Sequence, residues 1–318
     1  MSAECLTSPV FFAAPNDLLG WTHGAVAAHI PETSRSTRFP ASVDGMLVLR
    51  TQGSVFRTGQ KTPLPELALI GPSATPLSYT HRGAVDTYGL LLAPHTVSFL
   101  GRRCNGEMAG QDHDLQILNP IATQRLYQNW HLQQTDLERC QAMLEWLRYL
   151  TQTQAEEAER WSALAHLPQL LMEGNAAACD ELGLGTRQLE RISQLHLNMS
   201  PHRARTILRM RAALWSAMGS DTRPRGPDLA LSHGYFDQSH MGRDLKRLAG
   251  MPFAQALAAS QGRDSSGWPL NVGKQLVRSQ APGAGPGTAA ARTPTQPRST
   301  SAHRATGEGG GARKVPRH

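Results

Sequence analysis

No apolar run in this 318-residue sequence approaches the ~20 residues that a membrane-spanning helix requires. Its opening residues lack a basic stretch followed by an apolar core, since Val10–Ala14 is too short to be one, so a soluble cytoplasmic chain is expected. Cysteine is scarce: Cys5, Cys104, Cys140 and Cys179 lie far apart, with no C-x-x-C pair. A disulfide framework or zinc site is therefore not expected, and the four read as free or buried thiols. The 13 histidines form no H-x-H or H-x-x-x-H pair before residue 118, where His81, His95 and His113 are scattered, so no metal site is assigned. Nor is there a Ser/His/Asp spacing or a phosphate loop. No catalytic residue or cofactor follows from this sequence, and an enzyme is not expected.

Excess charge is missing from most of the chain as well. The net charge is +7, yet residues 261–318 alone carry nine cations against two anions, so the remainder is neutral. Bulk basicity therefore cannot argue for a nucleic-acid partner; the arrangement of residues has to do so. The tail is rich in Gly, Ala, Pro, Thr and Ser. It cannot bury enough apolar surface to offset its ordering entropy, and 261–318 is expected to be a disordered basic tail. Either it adds salt-sensitive affinity for DNA or it is an unselected extension.

Three compositions precede the tail. Residues 1–120 read as a β-rich domain, with short apolar runs (Met46–Leu49, Leu67–Ile70, Tyr88–Leu92) between Gly, Pro, Ser and Asp clusters, a rhythm that suggests a small barrel or sandwich. Residues 121–172 contain no glycine and one proline, Pro168, and place Leu126, Trp130, Leu137, Met143, Leu147 and Leu150 at helical spacing. Two or three linker helices fit there, with Trp130, Trp146 and Trp161 as packing residues. Residues 173–260 are again helical, so the fold class is α+β with an all-α C-terminal domain.

Within 173–260 two stretches share a layout: Cys179-Asp-Glu-Leu-Gly183-Leu-Gly-Thr-Arg and Ala230-Leu-Ser-His-Gly234-Tyr-Phe-Asp-Gln. Each has a small residue, a glycine four places on, an apolar residue, and then a short basic helix. That is the requirement of a helix-turn-helix. The small residue lets the helices approach, the glycine ends the first one with positive φ, and Leu184 or Tyr235 plugs the corner. Thr186 and Asp237 stand where an N-cap would satisfy free amides. Leu189 and Ile192 face inward, as do Met241 and Leu245. Arg187, Glu190 and Arg191 then face outward on one helix, and Gln238, Ser239 and Arg243 on the other, which suits major-groove readout. Glu190 either accepts from cytosine N4 or pairs with Arg187 or Arg191. Arg203, Arg205, Lys246 and Arg247 are candidate phosphate contacts. Ser200–Ala217 joins the units as one helix, with Ser200 as N-cap and Pro201 at the first helical position.

The second unit, Gly234-Tyr-Phe-Asp-Gln-Ser-His-Met-Gly-Arg-Asp-Leu-Lys-Arg-Leu-Ala-Gly250, resembles the corresponding motif of the AraC/XylS family of transcription regulators. So do the Asn198-Met-Ser200-Pro201 junction and the Arg209/Ala213 pair in the connecting helix. The resemblance implies a sequence-specific regulator whose two recognition helices, starting near Thr186 and Gln238, contact adjacent major grooves of double-stranded DNA. The stretches around Leu69–Pro72 and Ala84–Ser98 are similar to the sensor-like domain that precedes this DNA-binding domain in some members. It implies a small-molecule effector or a homodimer contact in the N-terminal domain, and RNA polymerase as a further partner. Departures are Ser193 and Leu245 at usually aromatic positions, Asn198 for glycine, Gly226 at a usually apolar position, and the Gly219–Arg225 insert.

Overall fold

A computed structural model describes residues 9–102, 108, 110–162, 164–219 and 226–258. The tail expected to be disordered, Cys5, Cys104 and all of the 219–225 insert but Gly219 lie outside the described residues.

The N-terminal part is one seven-stranded antiparallel sheet. Its strands are β1 (Val10–Ala13), β2 (Thr22–Ile30), β3 (Ser36–Phe39), β4 (Gly45–Arg57), β5 (Leu67–Ile70), β6 (Leu77–Leu92) and β7 (Asp112–Asp114), in the order β1-β2-β6-β4-β5-β7 with β3 on β6. All seven strands are hydrogen-bonded into this one sheet, and among the described residues no pairing joins β7 back to β1. The long strands serve several partners: β4 pairs with β5 and β6, and β6 with β2, β3 and β4. Register shifts at Arg50/Gln52 and Gln52/Ser54, with Gly53 at φ 76°, break the regular pairing of β4 with β6 midway.

Successive residues serve opposite faces. Ala25, Ala27, Leu47, Leu49, Tyr88 and Leu90 form one core with the helices that follow. Val26, Ala28, Ile30, Val55, Tyr79 and Val85 form a second core on the other face. Helices α1 (Pro94–Gly101), α2 (Leu115–Leu118), α3 (Pro120–Trp130), α4 (Asp136–Thr153), α5 (Ala155–Ser162) and α6 (Leu167–Glu173) come next. Four of them occupy or overlap the region where two or three were expected. The extra breaks follow the caps: Asn119 caps α3, and Thr135 with Glu138 forms a capping box that starts α4. Trp130 and Trp146 are buried, and the Trp146 indole donates to the Ala122 carbonyl at 2.8 Å.

Helix α4 is tied to the sheet by a polar cluster. Asp136 accepts from the Tyr88 hydroxyl at 2.9 Å and pairs with His29 Nε2 at 2.9 Å, while His29 Nδ1 meets its cross-strand neighbour Asp86 at 2.8 Å. Partial burial would lower the His29 pKa, but the two carboxylates outweigh it and hold the ring above its ordinary value.

The C-terminal helices are α7 (Asn175–Leu182), α8 (Thr186–Leu197), α9 (Pro201–Gly219), α10 (Gly226–Ser232), α11 (Gln238–Ala249) and α12 (Phe253–Ala258). Their core does not stop at residue 173. Ala41 and Val43, both fully buried in the β3–β4 connection, belong to the same cluster as Ile207, Met210, Leu214 and Leu248. The Ala41 amide donates to the Leu248 carbonyl at 2.7 Å and the Arg38 guanidinium to the Gly250 carbonyl at 2.8 Å. These donors satisfy carbonyls that the end of α11 leaves free. Arg211 of α9 forms an ion pair with Asp44, and its Nη1 also donates to Ser42 at 2.9 Å. No helix among the described residues is long and apolar enough to cross a membrane.

Candidate nucleic-acid interface

The two units share their turn geometry. Helix α7 ends at Gly183 (φ 62°) and α10 runs into Gly234 (φ 69°), both left-handed as their glycines require. In each, the next residue bonds back to the carbonyl of the small residue five places earlier: Leu184 to Cys179 and Tyr235 to Ala230, both at 2.9 Å. This is the longer bond of a Schellman turn, and it satisfies carbonyls that end the first helix. Tyr235 is buried in the corner. Arg209, from the connecting helix, braces that corner: it donates to the Gly234 carbonyl at 3.0 Å and lies 4.6 Å above the Tyr235 ring.

The second helices start one residue out of step. Asp237 is the N-cap of α11, accepting from the His240 amide at 2.6 Å. In the first unit Thr186 is already helical and the preceding Gly185 is the N-cap, its amide donating to the Gln188 side chain at 2.9 Å. The glutamine at the third helical position thus accepts from the cap amide, the half of a capping box that a glycine cap still allows.

On α8, Leu189, Ser193 and Leu197 are buried while Arg187, Glu190 and Arg191 are exposed. No ion pair joins Glu190 to either arginine among the described residues. On α11, Met241, Leu245 and Leu248 are buried while Gln238, Ser239 and Arg243 are exposed. The departures from the family pattern are absorbed locally. Ser193 donates its hydroxyl to the Met199 carbonyl at 2.8 Å, Leu245 is fully buried, and Asn198 takes the left-handed conformation (φ 55°) that a glycine would adopt there.

The four phosphate candidates are held differently. Arg203 donates to the Ala74 carbonyl of the N-terminal part at 2.6 Å. Arg205 donates to the Leu171 carbonyl at 2.8 Å and to the Asn175 side chain. Arg247 is exposed but pairs with the largely buried Asp244 at 2.6 Å, and Lys246 is exposed with no ion pair among the described residues.

Sequence reasoning missed Phe236, which is 86% exposed just ahead of α11. It also missed a cavity of about 480 Å3, including its mouth, on the second face of the sheet. Its walls are mainly apolar, from Val26, Phe39, Met46, Val48, Val55 and Ile70, with Arg50 among the few polar side chains lining it. Two of those polar side chains are already satisfied. The His81 Nδ1–H donates to the Ser34 carbonyl at 3.2 Å and Nε2 accepts from Thr37 at 3.1 Å, while burial lowers its pKa and keeps it neutral. Tyr79 donates to Asp112 at 2.8 Å. Arg50 is different. It is 7% exposed and donates to the Pro65 carbonyl, and the nearby Asp112 and Glu66 carboxylates partly offset the cost of its burial. Trp215 of α9 packs against the same cluster, under the Arg211 guanidinium at 4.5 Å. No local pattern announces any of this, because the lining comes from five strands.

Residues 178–259 match the family model described as "Helix-turn-helix domain". No curated protein matches the chain. Among solved structures the chain is similar to ToxT from Vibrio cholerae. A 1.65 Å structure of it is 9% identical, covering 73% of this chain and 97% of that one at a TM-score of 0.42. A structure described as unsaturated fatty acid bound wild-type ToxT is 12% identical, covering 81% and 97% at a TM-score of 0.42. Likeness at that level carries no further argument. The twin turns and the match over 178–259 show that this part of the chain is a helix-turn-helix domain.

Proposed function

We propose that the chain recognises a specific duplex site by placing α8 and α11 in successive major grooves, about one helical turn (~34 Å) apart. The observation that carries this reading is the duplicated turn, which leaves Arg187, Glu190 and Arg191 on one helix and Gln238, Ser239 and Arg243 on the other facing solvent. Lys246 supplies a phosphate contact, and so does Arg247 when it turns from Asp244. Arg203 and Arg205 serve the backbone only if their internal bonds are released. Selecting duplexes from a random library with the full chain tests this. A consensus that survives rising salt supports it, and binding that ignores sequence at every ionic strength contradicts it.

The N-terminal part is, in this reading, the effector-binding module, and its ligand is a small apolar acid. A buried guanidinium is costly unless charge meets it; Asp112 and Glu66 act on Arg50 from nearby, and its guanidinium also borders the apolar cavity. Arg50→Met is then expected to leave the thermal midpoint of the ligand-free protein unchanged or raised. In the wild type, decanoic acid raises that midpoint and 1-decanol does not; in Arg50→Met the two act alike. Equal responses to acid and alcohol in the wild type would remove the acid from this reading. Trp215 gives such a ligand a path to the connecting helix.

A further inference from the structure

Phe236 is more exposed than any other large apolar side chain among the described residues. A single exposed apolar residue is ordinary in itself; its position is not. It stands immediately before the Asp237 N-cap, where an apolar side chain commonly packs onto the fourth residue of the helix as a hydrophobic staple. That fourth residue is Met241, which is 1% exposed and buried in the domain core without help from Phe236. Tyr235 has already filled the corner. The ring is therefore unused by folding, at the same end of α11 as the exposed Gln238 and Ser239.

The first unit sharpens the contrast. Counting two residues on from the turn glycine gives Phe236 in the second unit and Gly185 in the first. Because α8 starts one residue earlier in this frame than α11, the residue before the N-cap is the half-buried Leu184 in the first unit and the exposed Phe236 in the second. A phenyl ring neither donates nor accepts a conventional hydrogen bond. Of the features that bases show in the major groove, the one an apolar side chain can tell apart is the C5-methyl group of thymine.

We propose that Phe236 reads a thymine methyl group at the edge of the half-site contacted by α11. The proposal rests on the DNA-binding reading above. Its test uses the full chain and the duplex that chain selects, with each thymine replaced in turn by deoxyuridine, which removes the methyl and nothing else. At one position in the α11 half-site, deoxyuridine is expected to weaken wild-type binding about three- to tenfold. Phe236→Ala should bind the thymine duplex weaker by the same factor and be indifferent to deoxyuridine there, with its thermal midpoint unchanged. Phe236→Leu should keep part of the preference. If Phe236→Ala and the wild type show the same thymine-to-deoxyuridine ratio at every position, the proposal is overturned. It is equally overturned if the variant keeps its DNA affinity and loses only transcriptional output, which would make the ring a protein-docking residue. If the wild type selects no duplex, the DNA-binding reading fails first and this proposal with it.

Discussion

Asp44→Ala is expected to lower the unfolding free energy by about 3–5 kcal/mol, the usual cost of removing one partner of a buried ion pair. Asp44 and Arg211 are largely buried, at 15% and 11% side-chain exposure, where the β3–β4 connection enters the C-terminal core. His23 Nε2 approaches the other Asp44 oxygen at 3.4 Å. Burial by itself would raise the Asp44 pKa, but the Arg211 and His23 charges outweigh it and hold the carboxyl well below the ordinary carboxylate range. A depressed pKa means stability that is fully present above the unfolded value of about 3.9 and is lost as the pH falls below it. Urea titrations at neutral pH and at about pH 3 check both parts. The variant should be much weaker at neutral pH, and the gap to the wild type should narrow in acid. Replacing both partners by apolar residues should recover most of the loss, because it is the stranded guanidinium that is costly. A wild-type-like midpoint for Asp44→Ala would show that the pair is not what joins the two parts.

Arg243→Ala is expected to cost about 1–3 kcal/mol on the selected duplex and to relax specificity at one base pair. Arg243 follows Ser239 by four residues and therefore lies on the same exposed face of α11. Lys246→Ala should differ in kind, weakening all duplexes alike and lowering the salt slope by about one. Titrating both variants against the selected duplex and its single-base mutants separates the two roles. A uniform loss for Arg243→Ala would demote it to a backbone contact.

What could be read from residue order was whatever short-range geometry dictates. Gly183, Gly234 and Asn198 announce left-handed positions because few other residues tolerate them, and the core-facing Leu189, Met241 and Leu245 follow from helical spacing. The cap at Thr186 was misplaced by one residue because the helix already starts at Thr186, with Gly185 as its N-cap and the Gln188 side chain accepting from the Gly185 amide. The strand order β1-β2-β6-β4-β5-β7 was hidden, since turn spacing does not reveal it. The contact of Asp44 with Arg211 was hidden too. The two residues are 167 positions apart, and neither one's neighbours mark it as a charge that will be buried. The same holds for Arg203 and Arg205, legible as cations on a helix but not as donors to Ala74 and Leu171. Arg50 looks like an ordinary solvent-facing strand arginine until the strands are assembled around the cavity.

In the proposed mode of binding, one copy of this chain touches two neighbouring segments of major groove. Dimethyl sulfate protection of guanine N7 on the selected duplex tests it most directly. Two clusters of protected guanines about 10 base pairs apart are expected, one lost in Arg191→Ala and the other in Arg243→Ala. A single cluster, or two that persist unchanged in both variants, would contradict it.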